Sequence, residues 1–399
     1  MAEVDTQQLD MLLNTVRTLE PLIRKHADEA ERNRRLSQPV VTALAEANLF
    51  RLYTPRTLGG FELDPFTFYR VIEALARIDG STAWCVWIGT TLPIFAPNFV
   101  DQAAEEVFGK DPQVVTAGVF FPPGKAVVRD GGYVVSGRWA YASGCQHSAW
   151  VCCWCNVFDA DQLRLTASGA PEMRAILVPA AQVTILDTWE VSGLAGTGSH
   201  DVVVEQVFVP EEYTCPFGPG VTPQSKHFQR PLYRYPFYAA GGLSIGAVAL
   251  GIAQGAVDAC TELAQAKRPA GTTELLRDRP PFQVRLAEAV ALVRSARAWL
   301  HTAVQQTWEG LLARGHVTFE ERADLLLAGA NATRSAASAV DIVYTVAGGT
   351  ANYRRSPLQR ALRDVHALTQ HIATAPHQYE SAGRMLLGLP PLQPPLILL

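Results

Sequence analysis

The stretch that decides the fold spans residues 347–364 and reads Ala-Gly-Gly-Thr-Ala-Asn-Tyr-Arg-Arg-Ser-Pro-Leu-Gln-Arg-Ala-Leu-Arg-Asp. In it a Gly-Gly turn is followed by an aromatic residue, a proline and an Arg-Asp pair. Eight residues beyond that pair stands Ile372, directly after His371. An apolar isoleucine cannot abstract a proton from a substrate. The segment therefore carries a histidine and no carboxylate at the place where its helix continues.

The composition predicts a globular enzyme of two or three parts. The chain has 399 residues, is 48% hydrophobic and 18% charged, and carries a net charge of −4. Without a long basic run, a nucleic-acid-binding surface is not expected. The sequence shows neither a leader peptide nor an apolar stretch of membrane-spanning length, so we expect a cytoplasmic protein that does not bind a membrane.

Three regions differ in their residue patterns. Residues 1–112 are mostly helical, with leucines and valines at three- and four-residue spacing in the first segment. Residues 113–222 contain short runs of β-branched residues and the hairpin signal Asp130-Gly131. Residues 223–399 return to long helices. We expect an α+β fold, mainly α: an N-terminal helical domain, a middle antiparallel β-barrel or sandwich, and a C-terminal four-helix bundle whose last helix covers about 357–387.

The seven cysteines predict reduced thiols, since their number is odd. Three of them lie in Cys152-Cys153-Trp154-Cys155, within an apolar run typical of a strand. Successive side chains of a strand point to opposite faces, and no second Cys/His cluster exists to complete a zinc site. We therefore expect buried thiols and no metal.

Two more segments complete the pattern. Residues 137–144 read Gly-Arg-Trp-Ala-Tyr-Ala-Ser-Gly, and residues 192–210 run from Ser-Gly-Leu-Ala-Gly-Thr-Gly-Ser to Val-Phe-Val-Pro. Together with residues 347–364, they resemble the acyl-CoA dehydrogenase superfamily over essentially the whole chain. In that family the segment at 137–144 is the strand that packs against the flavin ring, and the Gly-Gly turn contacts flavin and a neighbouring subunit.

The sequence departs from the dehydrogenases where their chemistry is carried out. Ile372 stands where they have their catalytic Glu, and Tyr235–Ala249, where some members place it instead, contains no acid. The family's Thr-Glu-Pro segment is replaced by one that begins Thr116-Ala-Gly. The pattern resembles the branch of flavin-dependent monooxygenases (hydroxylases), which are the oxygenase halves of two-component systems. The segment Arg363–His371 resembles their final helix.

The resemblance implies a set of site residues. His371, with a pKa near neutrality, would protect the flavin C4a-hydroperoxide by hydrogen bonding and supply a proton during its formation, and Ser143 would hydrogen-bond the flavin N5 edge. Alternatively, His371 is an ordinary histidine of a helix interface and Ser143 a turn serine. The cofactor-binding residues implied are Trp139, Tyr141, Ser143, Gly144, Thr197, Arg268, Gly348 and Gly349.

The expected substrate pocket is aromatic and weakly polar. We assign to it Trp87, Thr91, Phe120 and His147, although ordinary core packing would explain the aromatic residues equally well. The sequence leaves open whether His147, His366 or His377 lines this pocket. Such a pocket suits a small aromatic or amine-bearing substrate.

The sequence thus predicts a flavin-dependent monooxygenase that uses reduced flavin (FMNH2 or FADH2) and O2 to hydroxylate an aromatic carbon or oxidise a nitrogen of a small molecule, with a secondary metabolite as one candidate. No Gly-x-Gly-x-x-Gly segment follows a strand, so a separate NAD(P)H flavin reductase is expected. The family resemblance implies a homotetramer. Two alternatives remain: an acyl-CoA or acyl-carrier dehydrogenase with a displaced base, and a non-catalytic flavin- or ligand-binding member. The sequence identifies neither the substrate nor the flavin.

Overall fold

The computed structural model describes residues 6–95, 98–218, 221, 223 and 225–392, except for the side chains of Phe95, Phe237 and Tyr238. Helices form the first part of the chain, a sheet follows, and long helices complete it. The N-terminal helices are α1 (Thr6–Asn33), α2 (Gln38–Glu46), α3 (Pro65–Ile78), α4 (Gly80–Phe95) and α5 (Asp101–Ala104).

The N-terminal helices form where the sequence provides an apolar face and a cap. The predicted stripe of α1 is buried at Leu9, Leu12, Val16 and Ile23. Asp79 lies between α3 and α4, and its carboxylate accepts hydrogen bonds from both the backbone N–H (2.8 Å) and the hydroxyl (2.7 Å) of Thr82. This capping satisfies N–H groups that the first turn of α4 leaves without partners. Helix α4 is apolar on all sides and runs through the interior.

The middle of the chain forms one mixed sheet, whose strands are β1 (Thr116–Arg129), β2 (Gly132–Ala142), β3 (Trp150–Asp159), β4 (Gln162–Leu163), β5 (Met173–Pro179), β6 (Thr184–Leu186), β7 (His200–Pro210) and β8 (Thr214–Phe217). Their order in the sheet is β6-β7-β2-β1-β3-β5-β8, and β4 pairs with β3. The predicted hairpin is confirmed: Arg129 pairs with Gly132, and Gly131 between them has a φ of 75°.

The expectation of a purely antiparallel sheet was wrong, because β1 and β3 are parallel. After the hairpin, the chain leaves β2 at Ala142 and crosses to the far side of β1 before it enters β3 at Trp150. It therefore runs in the same direction as β1. The crossover, residues 143–149, contains both Ser143 and His147.

The C-terminal helices are α6 (Phe237–Ala266), α7 (Pro280–Arg314), α8 (Phe319–Ala347), α9 (Pro357–Thr369) and α10 (His377–Leu386). The glycines of α6 permit the close helix packing that the sequence predicts: a Cβ on Gly329 of α8 would lie 2.6 Å from the carbonyl carbon of Gly242. Helix α6 is also long and apolar enough to span a membrane over Ala239–Ala266, but 78% of its most apolar window is buried inside the protein. Its hydropathy is that of a bundle core.

The last member of the predicted bundle is two helices instead of one. Helix α9 ends at Thr369, and turns occupy the residues up to Pro376, before α10 begins. Pro376 has no N–H to donate to a continuing helix, and the Thr374 hydroxyl donates to the carbonyl of Leu368 at 3.0 Å. His371 and Ile372 therefore lie in a turn and not on a helix face.

The Arg363-Asp364 pair joins three parts of the molecule. Arg363 forms an ion pair with Glu31 of α1 at 2.5 Å, and Asp364 accepts the backbone N–H of Leu194 in the β6–β7 loop at 2.6 Å. Gly193 approaches α9 so closely that a Cβ there would lie 2.1 Å from the Arg363 carbonyl oxygen. Burial raises the pKa of Asp364 to about 7. The segment that decides the fold thus fixes the helices against the sheet.

Candidate active site

Ser143 lies at the start of the crossover between β2 and β3, where the chain turns sharply. Gly144 adopts a φ of 73°, which favours glycine, and its N–H donates to the carbonyl of Thr197 at 2.9 Å. A Cβ at Gly144 would also lie 3.1 Å from Nε2 of His147. The turn directs the Ser143 side chain into the protein, where it is buried.

A chain of hydrogen bonds runs through Ser143. The indole N–H of Trp84 donates to Ser143 Oγ at 2.9 Å, and Ser143 Oγ lies 2.6 Å from Ser199 Oγ. Ser199 Oγ is in turn 2.7 Å from the Thr197 hydroxyl, which donates to the carbonyl of Leu194 at 2.8 Å. All four side chains are buried. Ser143 is thus anchored on both sides and is more than a simple turn serine.

His371 lies beside this chain through Trp84. The two rings meet edge to face with their centroids 5.8 Å apart. Nδ1 of His371 accepts the backbone N–H of Ala373 at 3.1 Å, so in the neutral imidazole the proton is on Nε2. Burial lowers the pKa of His371 to about 4. The expected pKa near neutrality is therefore wrong for this structure, in which His371 is a neutral hydrogen-bond donor.

Tyr141 and Trp139 differ in exposure, although the alternation of side chains in a strand would place both on the same face. The Tyr141 ring is 71% exposed and meets Trp189 edge to face at 6.0 Å. Trp139 is fully buried in the core of the sheet, and its indole N–H donates to the carbonyl of Trp154 at 2.9 Å. An irregularity in the β2–β7 register, with a φ of 66° at Tyr141, breaks the alternation. We therefore correct the expectation for Trp139, which has no exposed surface to offer a flavin.

Two of the predicted pocket residues, Trp87 and Thr91, lie on α4. Trp84, Trp87 and Thr91 recur at three- and four-residue spacing and lie on one face of that helix. The rings of Trp84 and Trp87 meet edge to face at 4.6 Å. The Thr91 hydroxyl donates to carbonyl oxygens of its own helix at 2.8 Å, which leaves its methyl group as the contact surface. Phe120 stacks on Trp154 at 3.9 Å.

His147 is a second enclosed histidine. Its ring lies 6.1 Å from that of Phe50, and its Nε2 is buried without a hydrogen-bond partner among the described residues. Burial lowers its pKa to about 4. A buried polar atom without a partner costs stability, so Nε2 is a candidate contact for a ligand. By contrast, Nε2 of His366 lies within hydrogen-bond distance of Asp341 Oδ1, at 2.7 Å, on the surface, and His377 begins α10 next to Gln378.

The residues predicted to hold the flavin phosphates lie together at the end of the bundle. Lys267 reaches from the end of α6 to the carbonyl of Ala347 and, at 2.8 Å, to the hydroxyl of Thr350. This contact brings Arg268, which is exposed, near the exposed Gly348-Gly349 turn. Gly348 has a φ of 59°, and no described atom lies within 4 Å of a Cβ placed on Gly349. None of the described contacts of these residues reaches the Ser143 turn.

Two open cavities lie elsewhere on the surface and contain none of the predicted site residues. They measure about 610 and 740 Å³ and share Arg32, Arg34 and Asp187 in their walls. Ion pairs such as Arg34–Asp187 at 2.7 Å neutralise much of this charge. We assign the site to the Ser143–His371 cluster because it combines buried aromatic rings with hydrogen-bonding groups that suit a flavin. Within the described ranges, no group of three or more His, Cys, Asp or Glu side chains could hold a metal.

The cluster can donate and accept hydrogen bonds, but the described contacts of Trp84, Ser143 and His371 include no carboxylate to remove a carbon-bound proton. Ile372 is 47% exposed. Two residues of the cluster were missed as site residues: Trp84, which the sequence shows only as one of several aromatics, and Ser199, which is hidden in a glycine-rich turn.

The predicted thiols are buried as expected. All seven cysteines are free and buried, and Cys152, Cys153 and Cys155 are fully enclosed in β3. Burial raises the pKa of each of these three thiols. They act as small apolar side chains of the core.

Comparisons with known proteins agree with this site. The family models "Acyl-CoA dehydrogenase, N-terminal domain" and "Acyl-CoA dehydrogenase, C-terminal domain" match residues 6–105 and 243–376. The chain is 35% identical over 390 residues to the flavin-dependent monooxygenase, oxygenase subunit HsaA, of Rhodococcus jostii, covering 96% of this chain and 98% of the relative. It is 33% identical over 369 residues to an indole-3-acetate monooxygenase of Pseudomonas putida, covering 92% of each.

A solved structure agrees over nearly the full length. XiaF from Streptomyces sp., determined in complex with FADH2 and glycerol, superposes with a TM-score of 0.89 at 28% identity and covers 98% of both chains. These similarities support the monooxygenase prediction and not the dehydrogenase or non-catalytic alternatives. The chain belongs to the acyl-CoA dehydrogenase family, within its branch of flavin-dependent monooxygenases that act as the oxygenase component of two-component systems.

Proposed function

We propose that this protein hydroxylates an aromatic carbon of a small substrate. The observation that carries the proposal is the cluster of buried Trp84 and Ser143 with half-buried His371, which combines a hydroxyl and a neutral imidazole and whose described contacts include no carboxylate. O2 would be the oxidant and reduced flavin would supply two electrons and two protons, so that one oxygen atom enters the substrate C–H bond and the other leaves as water. The dehydrogenases of this family use a carboxylate as their base, and the described contacts of the cluster include none.

The residues present fit a flavin ring. Tyr141 offers an exposed aromatic face beside Trp189, and Ser143 at the end of the same strand offers a hydroxyl oxygen. We assign Tyr141 to the flat face of the ring and Ser143 to its N5 edge. Gly144 and Thr197 shape the turn that holds Ser143, and the Arg268 and Gly348-Gly349 region would serve the phosphates of a neighbouring subunit's flavin.

His371 would donate a hydrogen bond from Nε2 to the reacting oxygen and shield it from water. Its Nδ1 is held by the Ala373 N–H, so the ring cannot rotate without losing that bond. Trp84 packs against the ring and excludes solvent from one side. A negative charge brought close to the imidazole would raise its pKa from the value of about 4 in the unliganded chain.

The substrate class follows from the walls around α4. Trp87, the methyl group of Thr91 and Phe120 provide apolar and aromatic surface, and His147 Nε2 provides one polar contact. Aromatic rings pack well against such walls in edge-to-face or offset geometry. One relative is named for indole-3-acetate, a bicyclic acid. We therefore favour an aromatic substrate with one polar group over an aliphatic amine.

The partners and assembly are part of the same proposal. Reduced flavin would come from a separate NAD(P)H-dependent reductase, since the chain shows no dinucleotide-binding segment. The protein would act in the cytoplasm as a homotetramer, in which the Gly348-Gly349 turn of one subunit reaches the flavin of another. A molar mass of a monomer by light scattering would contradict the proposed tetramer but would not bear on the proposed hydroxylation.

Rapid mixing tests the function. The protein with anaerobic, photoreduced FMN or FAD is mixed with oxygenated buffer, and the flavin spectrum is followed with and without indole-3-acetate or a simple phenol. We expect a long-lived transient that differs from both reduced and oxidised flavin and decays faster with a substrate. Direct reoxidation with both flavins, together with activity on acyl-CoA esters, would refute the proposal in favour of a dehydrogenase.

A further inference from the structure

The hydrogen-bond chain through Ser143 has a fixed direction. At one end, the Trp84 indole nitrogen can only donate, so Ser143 Oγ accepts at 2.9 Å. At the other end, the carbonyl oxygen of Leu194 can only accept, so Thr197 spends its one hydroxyl proton there, at 2.8 Å. The direction of the two hydroxyl–hydroxyl contacts between these ends follows from these two facts.

Each hydroxyl in the chain has one proton, so the directions can be assigned in turn. Thr197 has none left, and its contact with Ser199 at 2.7 Å requires Ser199 to donate. Ser199 then has none left, and its contact with Ser143 at 2.6 Å requires Ser143 to donate. Ser143 therefore has its proton committed to Ser199 and one lone pair free. Toward any ligand it can act only as an acceptor.

An acceptor at this point distinguishes the two redox states of flavin. Reduced flavin carries a hydrogen on N5 and donates, whereas the N5 of oxidised flavin has a lone pair and accepts. We propose that Thr197 and Ser199 are positioning residues that lock Ser143 as an acceptor and thereby make the site bind reduced flavin in preference to oxidised flavin. The inference rests on the proposed contact between Ser143 and the flavin N5 edge.

The burial of the chain makes the lock effective. Ser199 is 4% exposed and Thr197 is 1% exposed, so water cannot supply an alternative partner to these two hydroxyls. Reversing the chain would remove the proton from the 2.8 Å contact between Thr197 Oγ1 and the Leu194 carbonyl oxygen and leave two oxygen lone pairs facing each other there. In an oxygenase that receives reduced flavin from another protein, this selectivity would favour binding of reduced flavin before the reaction and release of oxidised flavin after it.

Removal of the Thr197 hydroxyl tests the lock without touching the flavin. In Thr197→Val, Ser199 is free to donate to Ser143, and Ser143 can turn its own proton toward the ligand. The dissociation constants of oxidised flavin (aerobic fluorescence titration) and reduced flavin (anaerobic titration) are measured for FMN and FAD. We expect the ratio of oxidised to reduced constants to fall about tenfold, chiefly through tighter binding of oxidised flavin. A tenfold change corresponds to about 30 mV in the two-electron potential of the bound flavin.

Matched variants separate this role from a structural one. Ser199→Ala should lower the ratio in the same direction, and Thr197→Ser should retain the wild-type ratio. Thr333→Val is the control: it removes a buried hydroxyl that also donates to a backbone carbonyl, that of Gly329 at 3.0 Å, but this hydroxyl lies in α8, away from the hydrogen-bond chain. This variant should leave the ratio unchanged. Circular dichroism confirms folding, and Ser199→Ala carries the test if Thr197→Val does not fold.

Three outcomes would overturn the inference. If Thr197→Val and Ser199→Ala weaken both redox states equally, the hydroxyls only support the turn. If Ser143→Ala lowers the ratio but neither of these variants does, Ser143 contacts the flavin as proposed and the lock alone fails. If Ser143→Ala leaves both constants unchanged, Ser143 does not contact the flavin, and the premise taken from the proposed function fails with the inference.

Discussion

The pKa of His371 makes the stability of the folded protein depend on pH in a calculable way. Burial lowers that pKa to about 4 from the usual 6.5. Below pH 6.5 His371 therefore binds a proton in the unfolded chain but not in the folded one, and the free energy of unfolding falls as the pH drops from about 6.5 to about 4. The difference between the unfolded and folded pKa values corresponds to a loss of about 3.4 kcal/mol of unfolding free energy, of which about 2 kcal/mol is lost by pH 5. Because the ring keeps some exposure, we regard this as the upper end.

The substitution His371→Asn removes the titrating group and keeps an acceptor oxygen within reach of the Ala373 N–H. Free energies of unfolding are measured by urea denaturation at pH 7.5 and pH 5.0, at one protein concentration. Between these pH values the wild type should lose about 2 kcal/mol more than the variant. Ile372→Ala, an exposed and non-titrating neighbour, should retain the wild-type slope. Parallel pH profiles for the wild type and His371→Asn would show that the imidazole is not held neutral.

Three further predictions concern other parts of the molecule. His371→Ala should bind flavin but release more hydrogen peroxide per reduced flavin consumed, and unchanged coupling in a peroxidase assay would remove the role assigned to His371. Between pH 5 and pH 8 the wild type should lose about 2–3 kcal/mol of unfolding free energy that Asp364→Asn keeps. The reason is that the pKa of Asp364 is about 7 in the folded protein and 3.8 in the unfolded chain, so stability is lost as the pH rises through the folded value. Urea denaturation at several pH values measures this difference. The seven buried thiols should resist Ellman's reagent in native buffer and all react in denaturant; prompt labelling of the native protein would contradict their burial.

The candidate site could be predicted from the sequence only in part. His371 and Ser143 were found because short local motifs carry them. Trp84 and Ser199 were missed because they are 59 and 56 residues from Ser143 along the chain, and only the contacts in the fold bring them to it. Trp139 was placed wrongly because a sequence pattern shows the alternation of a strand but not the irregularity that interrupts it at Tyr141.

The sequence alone determined the order of helical, strand and helical regions, the hairpin at Asp130-Gly131 and the loss of the catalytic carboxylate at Ile372. These properties are local, since they depend on the periodicity of apolar residues, on turn-forming residues and on the chemistry of one side chain. The tertiary structure decided which groups meet: the parallel pairing of β1 with β3, the break before α10, and the direction of the hydrogen bonds at Ser143. These depend on partners far apart in the chain and on burial, which fixes protons that water would otherwise exchange.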